Sequence, residues 1–189
     1  MKELWRDDVV GEVTLCCTRR SRRVSLSVKP SGEVRLSFPP YASRKRALEF
    51  LFSRREWIIA TKEKFARRVA EGKSAAQITP EERETLRVKA KATLPQRVAE
   101  LASRHGLKYG KVSIRASRTK WGSCSAVGNI SLSLYLMILP EHLRDYVILH
   151  ELAHTVHHNH SALFHALVNS LTNGQEKTLA RELKEYSTR

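Results

Sequence analysis

The 189-residue sequence is short of cysteine, of acidic side chains and of long apolar runs, and each shortage excludes something. Three cysteines, two of them adjacent (Cys16 and Cys17), cannot build a disulfide framework, so a reducing, cytoplasmic setting is expected. The longest purely apolar stretch, Leu134–Leu139, has six residues against the roughly 20 needed to cross a bilayer, so no membrane partner is expected. The first eight residues, Met1-Lys-Glu-Leu-Trp-Arg-Asp-Asp, contain no apolar segment of the kind a secretory signal requires. Hydrophobic residues still make up 41% of the chain, which permits a packed core and argues against wholesale disorder. The deficit of acid leaves a net charge of +15. It is uneven: residues 1–140 hold 29 basic and 13 acidic side chains, whereas residues 141–189 hold 5 and 6. Such a field attracts anions, among them nucleic acid, nucleotides and acidic proteins, although a solvated surface has the same composition.

Strict alternation in Arg23–Lys29 and Glu33–Phe38, and a looser one in Glu12–Cys16, predicts strands. Pro30-Ser31-Gly32 supplies the turn of a hairpin. One long helix is expected from about Ser43 to Glu71. Lys73–Ile78 reads as a linker, which divides the chain into a basic accessory region, 1–75, and a second region, 76–189, the alternative being one continuous domain. There Thr79-Pro80-Glu81-Glu82 is a capping box that starts a helix running towards His105, kinked or split at Pro95. Further strands are expected at Lys111–Arg115 and Asn129–Leu134, with a loop or bulged edge at Trp121–Ser125 between them. Helices should follow Pro140, Ser161 and Gly174. The class that emerges is α+β.

Six of the eight histidines fall between His150 and His165, around His150-Glu151-Leu152-Ala153-His154. On a helix, His150 and His154 lie one turn apart on one face, about 6 Å along the axis, so both imidazoles can reach one ion. Glu151 then stands beside the ion as a base for a water that the ion activates. If the helix ran on, His157 would share that face but lie too far along it to close one site. A bend at His158–Ser161, with Asn159 tolerating the left-handed conformation and Ser161 capping the next helix, would return His160. His165 and Glu176 are the alternative third ligands, and His105 and His142 are expected to be ordinary surface or packing residues.

In order, Trp121-Gly-Ser-Cys-Ser, Gly128-Asn-Ile-Ser-Leu, Asp145-Tyr-Val-Ile-Leu-His-Glu-Leu-Ala-His and Asn159-His-Ser-Ala-Leu-Phe resemble the YgjP-like family of zinc metallopeptidase-type proteins. Arg19–Arg23, Phe38-Pro39-Pro40 and Arg55-Glu-Trp-Ile extend the resemblance into the N-terminal half. It implies a zincin-like catalytic fold, one Zn²⁺ held by His150, His154 and His160, and Glu151 as catalytic acid/base. His165 departs from the pattern, since the family usually has Trp after the residue corresponding to Phe164. The chain is more distantly similar to SprT-like proteases, which act near DNA. No methionine follows the histidines, so the Met-turn of the metzincins is lacking.

Arg115, Arg118, Lys120 and Trp121 form a candidate substrate-binding edge, with cations for carboxylates or phosphates and an aromatic wall. Tyr146, one turn before His150, can approach the same site. Cys124 is either a buried filler or a thiol nucleophile paired with a histidine. Three functions are therefore to be separated. The first is a zinc-dependent metallopeptidase acting on peptide, protein or other anionic substrates. The second is a metal-dependent nucleotide or phosphoester hydrolase; for either enzyme other divalent transition metals could occupy the zinc site. The third is a basic nucleic-acid-associated module whose structural zinc takes a fourth ligand from His165 or Cys124.

Overall fold

A computed structural model describes residues 2–188, which form two compact units, divided between Ala70 and Glu71, of mixed α+β structure. In the first, strands β1 (Lys2–Asp7), β2 (Gly11–Cys17), β3 (Ser25–Val28) and β4 (Val34–Phe38) are followed by helices α1 (Arg44–Phe52) and α2 (Arg55–Ala70). The sheet order is β1-β2-β4-β3, with β2 and β4 parallel and the two outer pairs antiparallel. Alternation turns Val13, Leu15, Val34, Leu36 and Phe38 inward against Ala47, Leu51 and Ile58. Each large aliphatic side chain buried this way contributes roughly 1.5–3 kcal/mol. The expected hairpin is present: Lys29 and Glu33 close it, and Gly32 takes φ +84°, a conformation that a side chain would oppose.

Two features of this unit differ from the sequence reading. β1 gives almost no sequence signal, because it is an edge strand of which only Asp7 is buried. The Asp7 carboxylate accepts hydrogen bonds from the Val9 and Val10 amides and from two nitrogens of Arg55. The single helix expected over 43–71 is two helices. Ser53 donates its hydroxyl to the Phe50 carbonyl, Arg54 N–H bonds back to Leu51, and Arg55 then turns to Asp7 and over the Phe52 ring.

The second unit begins with the segment read as a linker, but Lys73–Ile78 is tied in. Ser187 N–H donates to Lys73 O, Ala75 N–H donates to Ser187 O, and Ala75 is fully buried. Helix α3 (Pro80–Arg104) starts at the expected capping box: Glu82 N–H donates to the Thr79 hydroxyl, and Thr79 N–H to the Glu82 carboxylate. Pro95 does not split it. The roughly 3 kcal/mol cost of an internal proline is outweighed by packing of Ala90, Leu94, Val98 and Leu101 into the core.

Strands β5 (Val112–Arg115), β6 (Gly122–Cys124) and β7 (Ile130–Ser133) form a sheet of order β5-β7-β6, with β6 at an edge. A 3₁₀ turn, Leu134–Ile138, leads through Pro140 into α4 (Glu141–Ala153), and α5 (Ala162–Leu171) and α6 (Glu176–Leu183) complete the chain. The register pairs Ser113 with Ser131 and Ser131 with Ser123, which gives one polar face. Ile130 and Leu132, on the other face, enter the core with Leu143, Val147, Ile148 and Leu152 of α4. Among the described residues no helix is long and apolar enough to cross a membrane.

Candidate metal centre

Helix α4 is apolar and buried on most sides, so its polar residues near the C-terminal end, His150 and Glu151, are set by packing on both flanks. The helix stops at Ala153, with His154 as its C-cap. Thr155 donates both its amide and its hydroxyl to the Leu152 carbonyl, and Val156 N–H bonds to Ala153, so tight i→i+3 bonds end the helix. Ser161 then caps α5, accepting from Phe164 N–H. The chain bends as expected between these points, but not through Asn159: among the described non-glycine residues only Asn173 has positive φ.

The bend brings His160 beside His150 and His154, and one ring nitrogen of each lies within 4.8 Å of the others. Nε2 of His150 and Nε2 of His160 are 3.2 Å apart. Two imidazole nitrogens each 2.0–2.1 Å from a tetrahedral ion stand about 3.3 Å apart, so this pair is spaced as an ion would hold it. Nδ1 of His154 lies 3.0 Å from the His157 carbonyl, which can only accept, so the proton sits on Nδ1 and Nε2 keeps its lone pair. The Phe164 ring, fully buried, stacks on His154 at 4.3 Å and meets His150 and His160 edge-on at 4.9 and 4.8 Å. Burial pushes His150 down to about 4, helped by the charges of His154, His160 and His165, and burial also lowers His154. Both are therefore neutral at pH 7, the form that ligates a metal.

Glu151 is buried at 6% exposure and lies outside the histidine cluster. Burial pushes its carboxyl up to about 7, against a small opposite pull from Lys120. The strand β6 passes so close that a Cβ on Gly122 would stand 2.6 Å from Glu151 Cγ and 2.8 Å from Oε1. Gly122 and Trp121 face Tyr146, His150 and Glu151 across a cavity of about 180 Å³. The role of Gly122 was not read from the sequence; the available signal was a glycine inside a strand, which marks close approach of another group.

A family model described as YgjP-like, metallopeptidase domain, matches residues 69–186. The chain belongs to this family. The match takes in α3, the three-stranded sheet and every histidine described above. A solved structure, the metallopeptidase zymogen abylysin of Pyrococcus abyssi, is similar at 22% identity and a TM-score of 0.41, over 50% of this chain and 99% of that one. No curated protein matches the chain.

Within the YgjP-like domain the remaining candidate residues fall in different places. His165 Nδ1 is 2.6 Å from Glu176 Oε1, so these two alternative ligands face each other, outside the cluster of three. His142 likewise pairs with Glu182 on α6. Arg115 and Lys120 line an open cleft of about 460 Å³ on the serine face of the sheet, with Ser113, Ser123 and Ser131. Arg118 is elsewhere: its guanidinium donates to the Tyr135 hydroxyl and lies over that ring, and its carbonyl accepts from Thr188. Trp121 both packs against the core and lines the cavity beside Glu151. Cys124 packs against the core, and burial, followed by the Glu151 charge, pushes its thiol up, the wrong direction for a nucleophile.

Proposed function

We propose that this YgjP-like domain is a zinc-dependent peptidase in which His150, His154 and His160 hold one ion and Glu151 is the acid/base. The observation that carries the proposal is the close group of three imidazole nitrogens with a buried carboxylate next to it that is not part of the group. An all-nitrogen, neutral donor set suits Zn²⁺, and nickel, cobalt or manganese could occupy it in a given preparation. When bound, the ion supplies Lewis acidity to a carbonyl oxygen and to water. Glu151, held by Gly122 on one side and rooted in α4, takes the proton from the attacking water and returns it to the leaving amine. Trp121 and Tyr146 wall the cavity and limit bulk water around that carboxyl.

The substrate is an extended peptide laid along edge strand β6, where main-chain groups are available for pairing. Alternate side chains then fall over the serine face, and Arg115 and Lys120, neither of which is in a close ion pair among the described residues, favour acidic ones. The same two cations are what a phosphoester substrate would use, so the test carries both substrate classes. A closed structural site is not supported, because His165 faces Glu176 and Cys124 lies outside the cluster. The setting is cytoplasmic, in keeping with three free cysteines.

Purified protein is assayed on quenched fluorescent peptides and on nucleoside triphosphates, with metal content measured in parallel. Glu151→Gln should keep one zinc per chain and lose peptide hydrolysis by at least about 10²-fold, whereas His154→Ala should lose metal and activity together. Full peptidase activity in Glu151→Gln, or phosphate release without peptide cleavage, overturns the reading.

A further inference from the structure

The first unit carries a cleft that the peptidase reading leaves unused. It has a volume of about 510 Å³ and lies between the segment before β3, the loop after β4 and the start of α1. Its charged lining is Arg22, Arg23 and Arg46, with no acidic side chain. None of these arginines has a carboxylate partner among the described residues. The Tyr41 ring is 79% exposed, yet it is not loose: its hydroxyl donates to the Arg22 carbonyl at 2.6 Å. Phe50 and Val24 supply apolar wall. Residues 1–70 as a whole hold 17 basic side chains against 8 acidic ones.

We propose that this cleft binds single-stranded nucleic acid, with Tyr41 stacking on a base and Arg22, Arg23 and Arg46 on the backbone phosphates. Arginines alone would suit any polyanion. An exposed aromatic ring fixed among them adds a platform for a base, and the volume admits about one nucleotide, not a duplex. The site does not depend on the metal centre, so its test does not either.

The 189-residue protein is titrated into fluorescein-labelled single-stranded oligonucleotides of about 12 nucleotides, RNA and DNA, with anisotropy read over a range of salt. Three arginines on single-strand phosphates predict a slope of log K against log salt near −2. Tyr41→Ala should weaken binding about tenfold and Tyr41→Phe by less, since the ring remains but loses the hydroxyl bond that fixes it. Arg22→Gln, Arg23→Gln and Arg46→Gln together should flatten the salt slope. Unchanged melting of these surface variants shows that the fold is kept. No saturable binding, binding indifferent to Tyr41→Ala, or equal competition by duplex DNA or by polyglutamate overturns the proposal.

Discussion

Replacing Gly122 by alanine separates the placement of Glu151, the proposed acid/base, from metal binding. The added methyl would lie 2.6, 2.8 and 2.9 Å from Cγ, Oε1 and Cδ of Glu151, and these are its three nearest atoms. Ordinary carbon contacts begin near 3.4 Å, so the carboxyl arm or strand β6 must yield by about 0.8 Å. A misplacement of about 1 Å in a reacting group costs about 100-fold in rate, equivalent to about 2.7 kcal/mol of barrier. Overpacking of this kind also costs about 1–3 kcal/mol of stability, offset by about 0.4–1 kcal/mol from the less flexible unfolded chain. The protein should therefore remain folded. None of the three histidines is among the methyl's nearest atoms, so zinc content should stay at one per chain. The assay is steady-state peptide hydrolysis with metal analysis on wild type, Gly122→Ala, Glu151→Gln and the double variant. Gly122→Ala should lower kcat about 100-fold, and in the Glu151→Gln background it should change little, because both act through one carboxyl. Wild-type kcat in a folded, metal-loaded Gly122→Ala protein would refute the reasoning, as would effects that simply add.

Other perturbations follow from the same geometry. Zinc at 100 times its Kd should stabilise the second unit by about 2.7 kcal/mol, seen as a rise in Tm that chelator reverses and that His160→Ala abolishes. Phe164→Ala removes a fully buried ring that touches all three imidazoles, and should cost about 3–5 kcal/mol in urea unfolding and weaken zinc binding about 10–100-fold. Burial pushes the Asp7 carboxyl up, but hydrogen bonds from Arg55, Val10 and Val9 more than reverse this and hold it below the usual aspartate value. The stabilisation is therefore complete above the unfolded value of about 4 and is lost as pH falls through the lower folded one. In a Trp121→Phe background, Trp5 and Trp57 fluorescence should report this acid loss in urea melts, and Asp7→Asn should cost about 2–3 kcal/mol at pH 7 and remove it.

Much of the local structure follows from the sequence alone, because its causes act over a few residues. The Thr79–Glu82 capping box and the Ser161 cap are made by side chains bonding to neighbouring backbone, the Pro30–Gly32 turn by backbone bonds across it and the positive φ of Gly32, and each is present. The one-turn spacing of His150 and His154 is likewise a property of any α-helix. Other features depend on groups distant in the chain. β1 is a strand because β2 pairs with it, and Arg55, just past the helix break at Ser53, is anchored on Asp7. Pro95 stays helical because its neighbours are buried. The sequence offered His160, His165 and Glu176 as companions for the first two histidines. Folding decided between them: α6 brings Glu176 to His165, and the short bend after Ala153 brings His160 to His150. The closeness of Gly122 to Glu151 is of the same kind. Caps and periodicities are local and can be read in order, whereas which side chains share a pocket is set by how helices and strands far apart in sequence pack together.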